Sequence, residues 1–151
     1  CPPWAVTVHG SGSEEMIKAA VKALEGTPTR VLAITVLTSI DPQSCEEIFT
    51  RLPIDQVRVL ANVAKRAGAH GLVCSPQEVK AMREEHPEMT LVTPGVRSPG
   101  KEADDQARVD TPANAIASGA NFVVMGRQIL GAPNPVTEVE RVWFDEIAKV
   151  K

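Results

Sequence analysis

Residues 71–97, GLVCSPQEVKAMREEHPEMTLVTPGVR, carry the pattern that decides the fold. Two short apolar runs, at 71–74 and 90–93, flank a polar segment that begins with SPQE. Continuous apolar runs are typical of strands that are buried on both faces of a parallel sheet. A serine followed by proline, with glutamate three positions after the serine, predicts a helix start with a capping box. The stretch is therefore predicted to be one strand–helix–strand unit.

The same alternation extends along the rest of the chain. Three further strand-like runs occur, AVTVH at 5–9, VLAITVL at 31–37 and FVVM at 122–125. Apolar residues recur at helical spacing after the first two runs, and Gly68 is placed to end the second of these helices. The cap-then-proline signal of a helix start returns as Thr111-Pro112 and Asn134-Pro135. The sequence therefore predicts five successive β/α units.

Strand–helix alternation implies a parallel sheet, either open and doubly wound or closed as a barrel. Five units do not close a (β/α)8 barrel, which needs eight strands and about 250 residues. Polar or glycine residues nevertheless follow almost every strand: HGSG at 9–12, TS at 38–39, Ser75, PGVR at 94–97 and GR at 126–127. A barrel brings all such strand ends to one mouth, whereas an open sheet uses mainly its switch point. The pattern favours a partial barrel over the open sheet.

Composition excludes several classes of function. The chain has 151 residues, with 16 Lys and Arg against 19 Asp and Glu. It therefore lacks the excess of basic residues that would predict a nucleic-acid partner. The sequence contains no run of about 18 apolar residues, so it does not predict a membrane span. The three cysteines are widely spaced and form no CxxC pair, which argues against a zinc module or a disulfide scaffold and favours a reducing, cytoplasmic compartment.

Five residues are candidates for ligand binding. Gly126 and Arg127 follow the last strand, where glycine allows close approach to the backbone and arginine offers a fork that matches phosphate oxygens. Arg97 and Gln106 belong to a long loop, and long loops in compact domains tend to be functional. Thr38 ends the second strand and could bond a ring edge. The alternatives are an exposed surface charge for each arginine and a local turn for Thr38.

Five segments, in this order, resemble the back half of orotidine 5'-monophosphate decarboxylases of the bacterial type: VTVHGSGS, AITVLTS, GLVCSPQE, LVTPGVR…DDQARV and VVMGRQI…NP. The resemblance covers essentially the whole chain. It implies a (β/α)8 barrel that forms a homodimer, needs no cofactor and holds its active site at the strand carboxyl ends. Residues 1–151 would then form an α/β domain, a partial TIM barrel of about five C-terminal units (strands four to eight), without the N-terminal strands.

The resemblance also assigns roles to the candidate residues. Thr38 falls on a nucleotide-contacting position, Arg97 and Gln106 on ligand-binding positions of the loop after the seventh strand, and Gly126 and Arg127 on the phosphate-binding pair. The ligands would be orotidine 5'-monophosphate and its product, uridine 5'-monophosphate (UMP). The family's catalytic Lys–Asp–Lys–Asp array, within a D-x-K-x-x-D element, has no match in these 151 residues. The chain alone is therefore expected to be inactive, whether it is a truncation, a fragment or a diverged half-barrel.

Two other functions stay open from the sequence. One is a related keto-sugar-phosphate decarboxylase, which the LVTPGVR segment disfavours. The other is a non-catalytic module that binds a phosphate ligand or mediates oligomerisation, because a half-barrel exposes two sheet edges that can pair with a second copy.

Overall fold

A computed structural model describes residues 1–101 and 107–150. The strands are β1 (Ala5–His9), β2 (Arg30–Ile34), β3 (Gly71–Val73), β4 (Thr90–Thr93) and β5 (Phe122–Val123). The helices are α1 (Glu14–Ala23), α2 (Pro42–Phe49), α3 (Pro53–Arg66), α4 (Val79–Glu85), α5 (Pro112–Ala117), α6 (Arg127–Leu130) and α7 (Pro135–Arg141). A 3-10 turn covers Gly10–Gly12, and a π-helical segment over Val142–Ile147 continues α7. Within the described residues, no helix combines the length and apolar character needed to cross a bilayer.

The strands form one sheet whose spatial order follows the chain, β1-β2-β3-β4-β5, with every neighbouring pair parallel. Right-handed crossovers that always step in the same direction place their helices on the same face of the sheet. A doubly wound sheet instead reverses its strand order at a switch point. The described sheet contains no reversal, so the open doubly wound alternative is wrong.

An aromatic contact shows that the sheet is strongly curved. The rings of Trp4, which precedes β1, and Phe122, which opens β5, have centroids 4.8 Å apart. Strands about 4.8 Å apart would place the first and fifth strands of a flat sheet about 19 Å apart. In an eight-stranded barrel, the first and fifth of five consecutive strands face each other across the interior. The predicted partial (β/α)8 barrel is therefore confirmed.

The hydrophobic core lies between the sheet and its helices. Val6 and Val8 of β1 pack against this core, so strand alternation places Thr7 and His9 on the opposite face, where both are exposed. Fully buried core residues on the strands and on the facing sides of the helices include Ile17, Val31, Ala33, Val57, Ala61, Leu72, Met82 and Leu91. The sheet therefore buries the face toward the helices, while its concave face is exposed at β1 and β5 and buried at Leu32 and Val92.

Most predicted helix boundaries are confirmed, and one is wrong. Thr111 and Asn134 cap their helices through side-chain oxygens, and Gly119 follows α5 with a φ of 111°. The helix predicted to start at Ser75-Pro76 begins only at Val79. The Glu78 half of its capping box forms, because Glu78 Oε2 accepts from the Ser75 backbone N–H at 2.9 Å.

Candidate functional site

A cleft of about 360 Å³ opens at the carboxyl ends of β4 and β5. Its charged and amide-bearing side chains are Arg97, Lys101, Arg127, Gln128 and Glu138. Among the described residues that line the cleft there are three cationic groups and one carboxylate, although the chain as a whole carries a formal charge of −3. The arrangement favours an anionic ligand, and it brings together two arginines that are thirty residues apart in the sequence.

The Gly126-Arg127 pair lies where β5 passes into α6. Gly126 precedes the helix, and Arg127 is its first residue. A Cβ atom added at Gly126 would meet no described atom within 4 Å, and the φ of this glycine is −93°, which other residues also adopt. Neither packing nor a positive φ therefore requires glycine here. Gly126 is exposed, so its backbone is open to close approach by a ligand; it lies next to Arg127 but is not itself among the residues that line the cleft.

Arg97 belongs to the amino-terminal end of the long loop and is only 8% exposed. Its backbone N–H donates to the Asp110 carbonyl at 3.0 Å, and an isolated parallel bridge joins Val96 to Asp110. Its side chain donates from Nη1 to the Val96 carbonyl at 2.8 Å. The two ends of the loop are thus fastened together next to the cleft. Arg97 is not the exposed surface charge that the sequence allowed as an alternative.

A hydrogen-bond network joins the loop after β4 to α6 and α7. The Ser98 backbone N–H donates to Gln128 Oε1 at 3.0 Å, and Gln128 Nε2 donates to Ser98 Oγ at 2.7 Å. Gln128 Nε2 also donates to Glu138 Oε1 at 2.8 Å, and Arg141 Nη2 donates to Ser98 Oγ at 2.8 Å. The segments that carry Arg97 and Arg127 are therefore held in a fixed relation.

Glu138 is the one carboxylate among the named cleft side chains. Hydrogen bonds from Arg141 and then from Gln128 lower its pKa to about 2. Arg141 donates to both carboxylate oxygens, at 3.0 Å and 2.9 Å, and the pairing raises the pKa of the arginine. Glu138 is therefore ionised at neutral pH, and Arg141 and Gln128 satisfy its charge.

Thr38 lies beside the far end of the same loop. Its carbonyl accepts from the backbone N–H groups of Ala107 and Arg108, at 3.0 Å and 3.3 Å. Its Cγ2 atom lies 3.2 Å from the position that a Cβ of Gly95 would occupy. The structure thus places Thr38 next to the loop of Arg97, but not among the residues that line the cleft. Gln106 lies outside the described residues.

The sequence prediction missed the ion pair between Arg108 and Glu78. Both side chains are almost fully buried, at 3% and 4% exposure. Glu78 was expected only as a helix-capping residue, and Arg108 carried no prediction. The members of the cleft network, Ser98, Gln128, Glu138 and Arg141, were also missed, because nothing local in the sequence distinguishes them from surface residues.

The described residues do not favour a thiol nucleophile or a metal site. Burial raises the pKa of the Cys74 thiol to about 12, so this thiol stays protonated at neutral pH. Burial is also the main cause that raises the pKa of Cys45. Among residues 1–101 and 107–150, no group of three His, Cys, Asp or Glu side chains could hold a metal ion.

Comparison with known proteins agrees with the resemblance seen in the sequence. The model of the orotidine 5'-phosphate decarboxylase / HUMPS family matches residues 3–142. The orotidine 5'-phosphate decarboxylase of Nitrosomonas europaea is 44% identical over 149 residues, covering 97% of this chain and 64% of the relative. That of Thermobifida fusca is 49% identical over 135 residues, covering 88% of this chain and 57% of the relative.

A solved structure agrees with the fold. The crystal structure of orotidine 5'-phosphate decarboxylase from Lactobacillus acidophilus superposes with a TM-score of 0.75 at 38% identity. The match covers 92% of this chain and 61% of that one. The chain thus spans about six-tenths of the length of the proteins that it matches.

Proposed function

Because the chain belongs to the orotidine 5'-phosphate decarboxylase / HUMPS family, we propose that it forms the nucleotide-binding part of an enzyme that converts orotidine 5'-monophosphate to UMP and carbon dioxide. One observation carries the proposal. Arg97 and Arg127, from the loops after two neighbouring strands, line a single cleft at the strand carboxyl ends. That end of a (β/α)8 barrel is where the active site lies, and loops after its last two strands commonly bind phosphate.

The proposed roles follow from the chemistry of each group. The Arg127 guanidinium donates a pair of hydrogen bonds to the 5'-phosphate, and the open backbone at Gly126 lets the phosphate approach closely. Arg97 contributes a second cation from the neighbouring loop. Thr38 contacts the nucleotide beyond the phosphate, and Gln106 contributes an amide from the loop. Lys101, which the sequence prediction missed, adds positive charge at the rim of the cleft.

The same proposal assigns no catalytic residue to these 151 residues. They contain no D-x-K-x-x-D element, so the lysine that would protonate the pyrimidine carbanion after loss of CO2 has no counterpart in them. Binding energy from a remote phosphate can still contribute to orienting the reacting carbon in the complete site. The chain is therefore proposed to bind the nucleotide without turning it over, and to need no cofactor.

The proposal extends to the assembly and its location. Two features of the edge strands β1 and β5 support a homodimer. Their residues on the concave face are exposed, and each strand has a single pairing partner in the described sheet. All three cysteines are free thiols, which supports a cytoplasmic protein. The matched relatives carry the decarboxylase name, and this favours a nucleotide over a sugar phosphate as ligand.

Calorimetric titration of the 151-residue chain with UMP and with uridine tests the proposal. UMP is expected to bind and uridine to bind far more weakly, because the cleft recognises the phosphate. The absorbance of orotidine 5'-monophosphate incubated with the chain is expected to stay constant. Equal affinity for the two ligands, or no binding of UMP, would overturn the binding proposal, and clear turnover would overturn the assignment of no catalytic residue.

A further inference from the structure

The buried ion pair of Arg108 and Glu78 lies outside the phosphate cleft, and the proposed function gives it no role. Arg108 Nη1 contacts Glu78 Oε1, while Arg108 Nη2 donates to the carbonyls of Val36 and Leu37, at 2.9 Å each. The second oxygen of Glu78 accepts from the Ser75 backbone N–H. Each end of the pair is therefore bonded to backbone as well as to its partner.

These bonds connect the loops at the carboxyl ends of three neighbouring strands. Val36 and Leu37 follow β2, Ser75 follows β3, and Arg108 belongs to the loop that follows β4. The backbone of the same arginine bonds the Thr38 carbonyl, and its own carbonyl lies 3.1 Å from where a Cβ of Gly95 would be. One side chain thus fixes the spacing between the loop of Thr38 and the loop of Arg97.

A gain in the stability of the fold is a weak explanation for a buried ion pair. Replacing a buried ion pair by apolar side chains of similar volume is often neutral or stabilising, because desolvation of the two charges offsets their attraction. What apolar side chains cannot supply is the directed fork that holds two carbonyls and a carboxylate at once. The pair therefore contributes geometry more than it contributes stability.

We propose that the Arg108–Glu78 pair is a positioning element of the nucleotide site, which sets Thr38 and the loop of Arg97 at the distance that the ligand requires. The inference rests on the proposed function and deepens it. Arg108 touches no ligand in this account. It acts through Thr38, whose carbonyl it bonds, and through Asp110, two residues further, which bonds the backbone of Arg97.

The test replaces both charges together, as Glu78→Leu with Arg108→Met, so that neither partner is left as an unpaired buried charge. The matched control is Arg58→Met with Glu85→Leu. Arg58 Nε of α3 lies 2.8 Å from Glu85 Oε1 of α4, and the two side chains are 44% and 36% exposed. This pair lies away from the cleft. The dissociation constant for UMP and the thermal unfolding transition are measured for wild type and both variants.

We expect the Glu78→Leu/Arg108→Met variant to keep a cooperative transition while its dissociation constant for UMP rises about ten- to hundredfold, the effect of losing one charge-assisted hydrogen bond to the nucleotide when the binding loops are no longer held in place. The control should bind UMP within twofold of wild type. A folded double variant with wild-type affinity would overturn the positioning role and leave the proposed function intact. Absence of UMP binding by the wild type would overturn both.

Arg108→Lys keeps the test decisive if the double variant does not fold. Lysine retains the positive charge opposite Glu78 but lacks the fork that reaches two carbonyls. We expect this variant to fold and to bind UMP about tenfold more weakly, because the loops of Thr38 and Arg97 are no longer held at their spacing and the nucleotide loses a hydrogen bond to a charged group. Wild-type affinity of a folded Arg108→Lys protein would overturn the inference.

Discussion

Gly126→Ala separates a role in ligand binding from a role in folding. In the structure the added Cβ would meet no described atom within 4 Å, and the φ of −93° is open to alanine. Replacing glycine by alanine at a compatible position leaves the free energy of unfolding unchanged or raises it by up to about 1 kcal/mol, since the unfolded chain loses entropy. Neither packing nor the φ of this residue therefore predicts a loss of stability from the substitution.

A phosphate that reaches the backbone N–H groups at this position would meet the new methyl group. Losing one hydrogen bond to a charged group costs about 1.5–3 kcal/mol. That loss corresponds to a dissociation constant for UMP raised about 10- to 150-fold. Calorimetric titration with UMP measures the binding change, and chemical denaturation measures the stability of the same variant.

Gly26→Ala is the matched control with the opposite expectation. Its added Cβ also meets nothing within 4 Å, but its φ of 76° lies in the left-handed region. Alanine there costs about 1–2 kcal/mol of stability. UMP affinity should not change, because Gly26 lies in the loop before β2, at the amino end of that strand, whereas the cleft lies at the carboxyl ends of β4 and β5. If Gly126→Ala bound UMP within twofold of wild type, the assignment of the phosphate to this backbone would be refuted.

Three further predictions follow from the same structure. Arg127→Ala should weaken UMP binding by about 1.5–3 kcal/mol and leave uridine binding unchanged; an equal loss for both ligands would make Arg127 a structural residue. Burial, and then the charge of Lys65, lower the pKa of His86, so the unfolded chain binds more protons and stability should fall as pH decreases below about 6.5. Melting temperatures between pH 7 and pH 5 measure this fall, and a fall of equal size in His86→Gln would contradict its assignment to His86. Trp4 and Phe122 are 47% and 48% exposed, so light scattering should detect association of the chain, and a monodisperse monomer would contradict that expectation.

Local signals predicted the fold well because they depend on neighbouring residues alone. Thr111 and Asn134 cap their helices as predicted, since cap and helix lie within three residues of each other. Helix α2 was missed, although Asp41 before Pro42 offers the same signal and accepts from the Ser44 backbone N–H at 2.7 Å. Its apolar spacing is too short to stand out from the loop that surrounds it.

The site was only partly predictable because its geometry depends on tertiary contacts. Glycine and arginine after a strand indicated a phosphate site, and the cleft brings Arg127 together with Arg97. The burial of Arg97 depends on a bridge to Asp110, and the late start of α4 accompanies a contact between Glu78 and Arg108, thirty residues away. Such pairings have no sequence signal in a single chain.

A crystal structure of the chain with bound UMP tests the central claim most directly. The account predicts that the 5'-phosphate lies in the cleft, with oxygens about 2.7–2.9 Å from the guanidinium of Arg127, the usual range for a charge-assisted hydrogen bond. It also predicts contact between the phosphate and the backbone at Gly126. A UMP molecule bound elsewhere, or one whose phosphate faces solvent while Arg97 and Arg127 contact only protein, would contradict the claim.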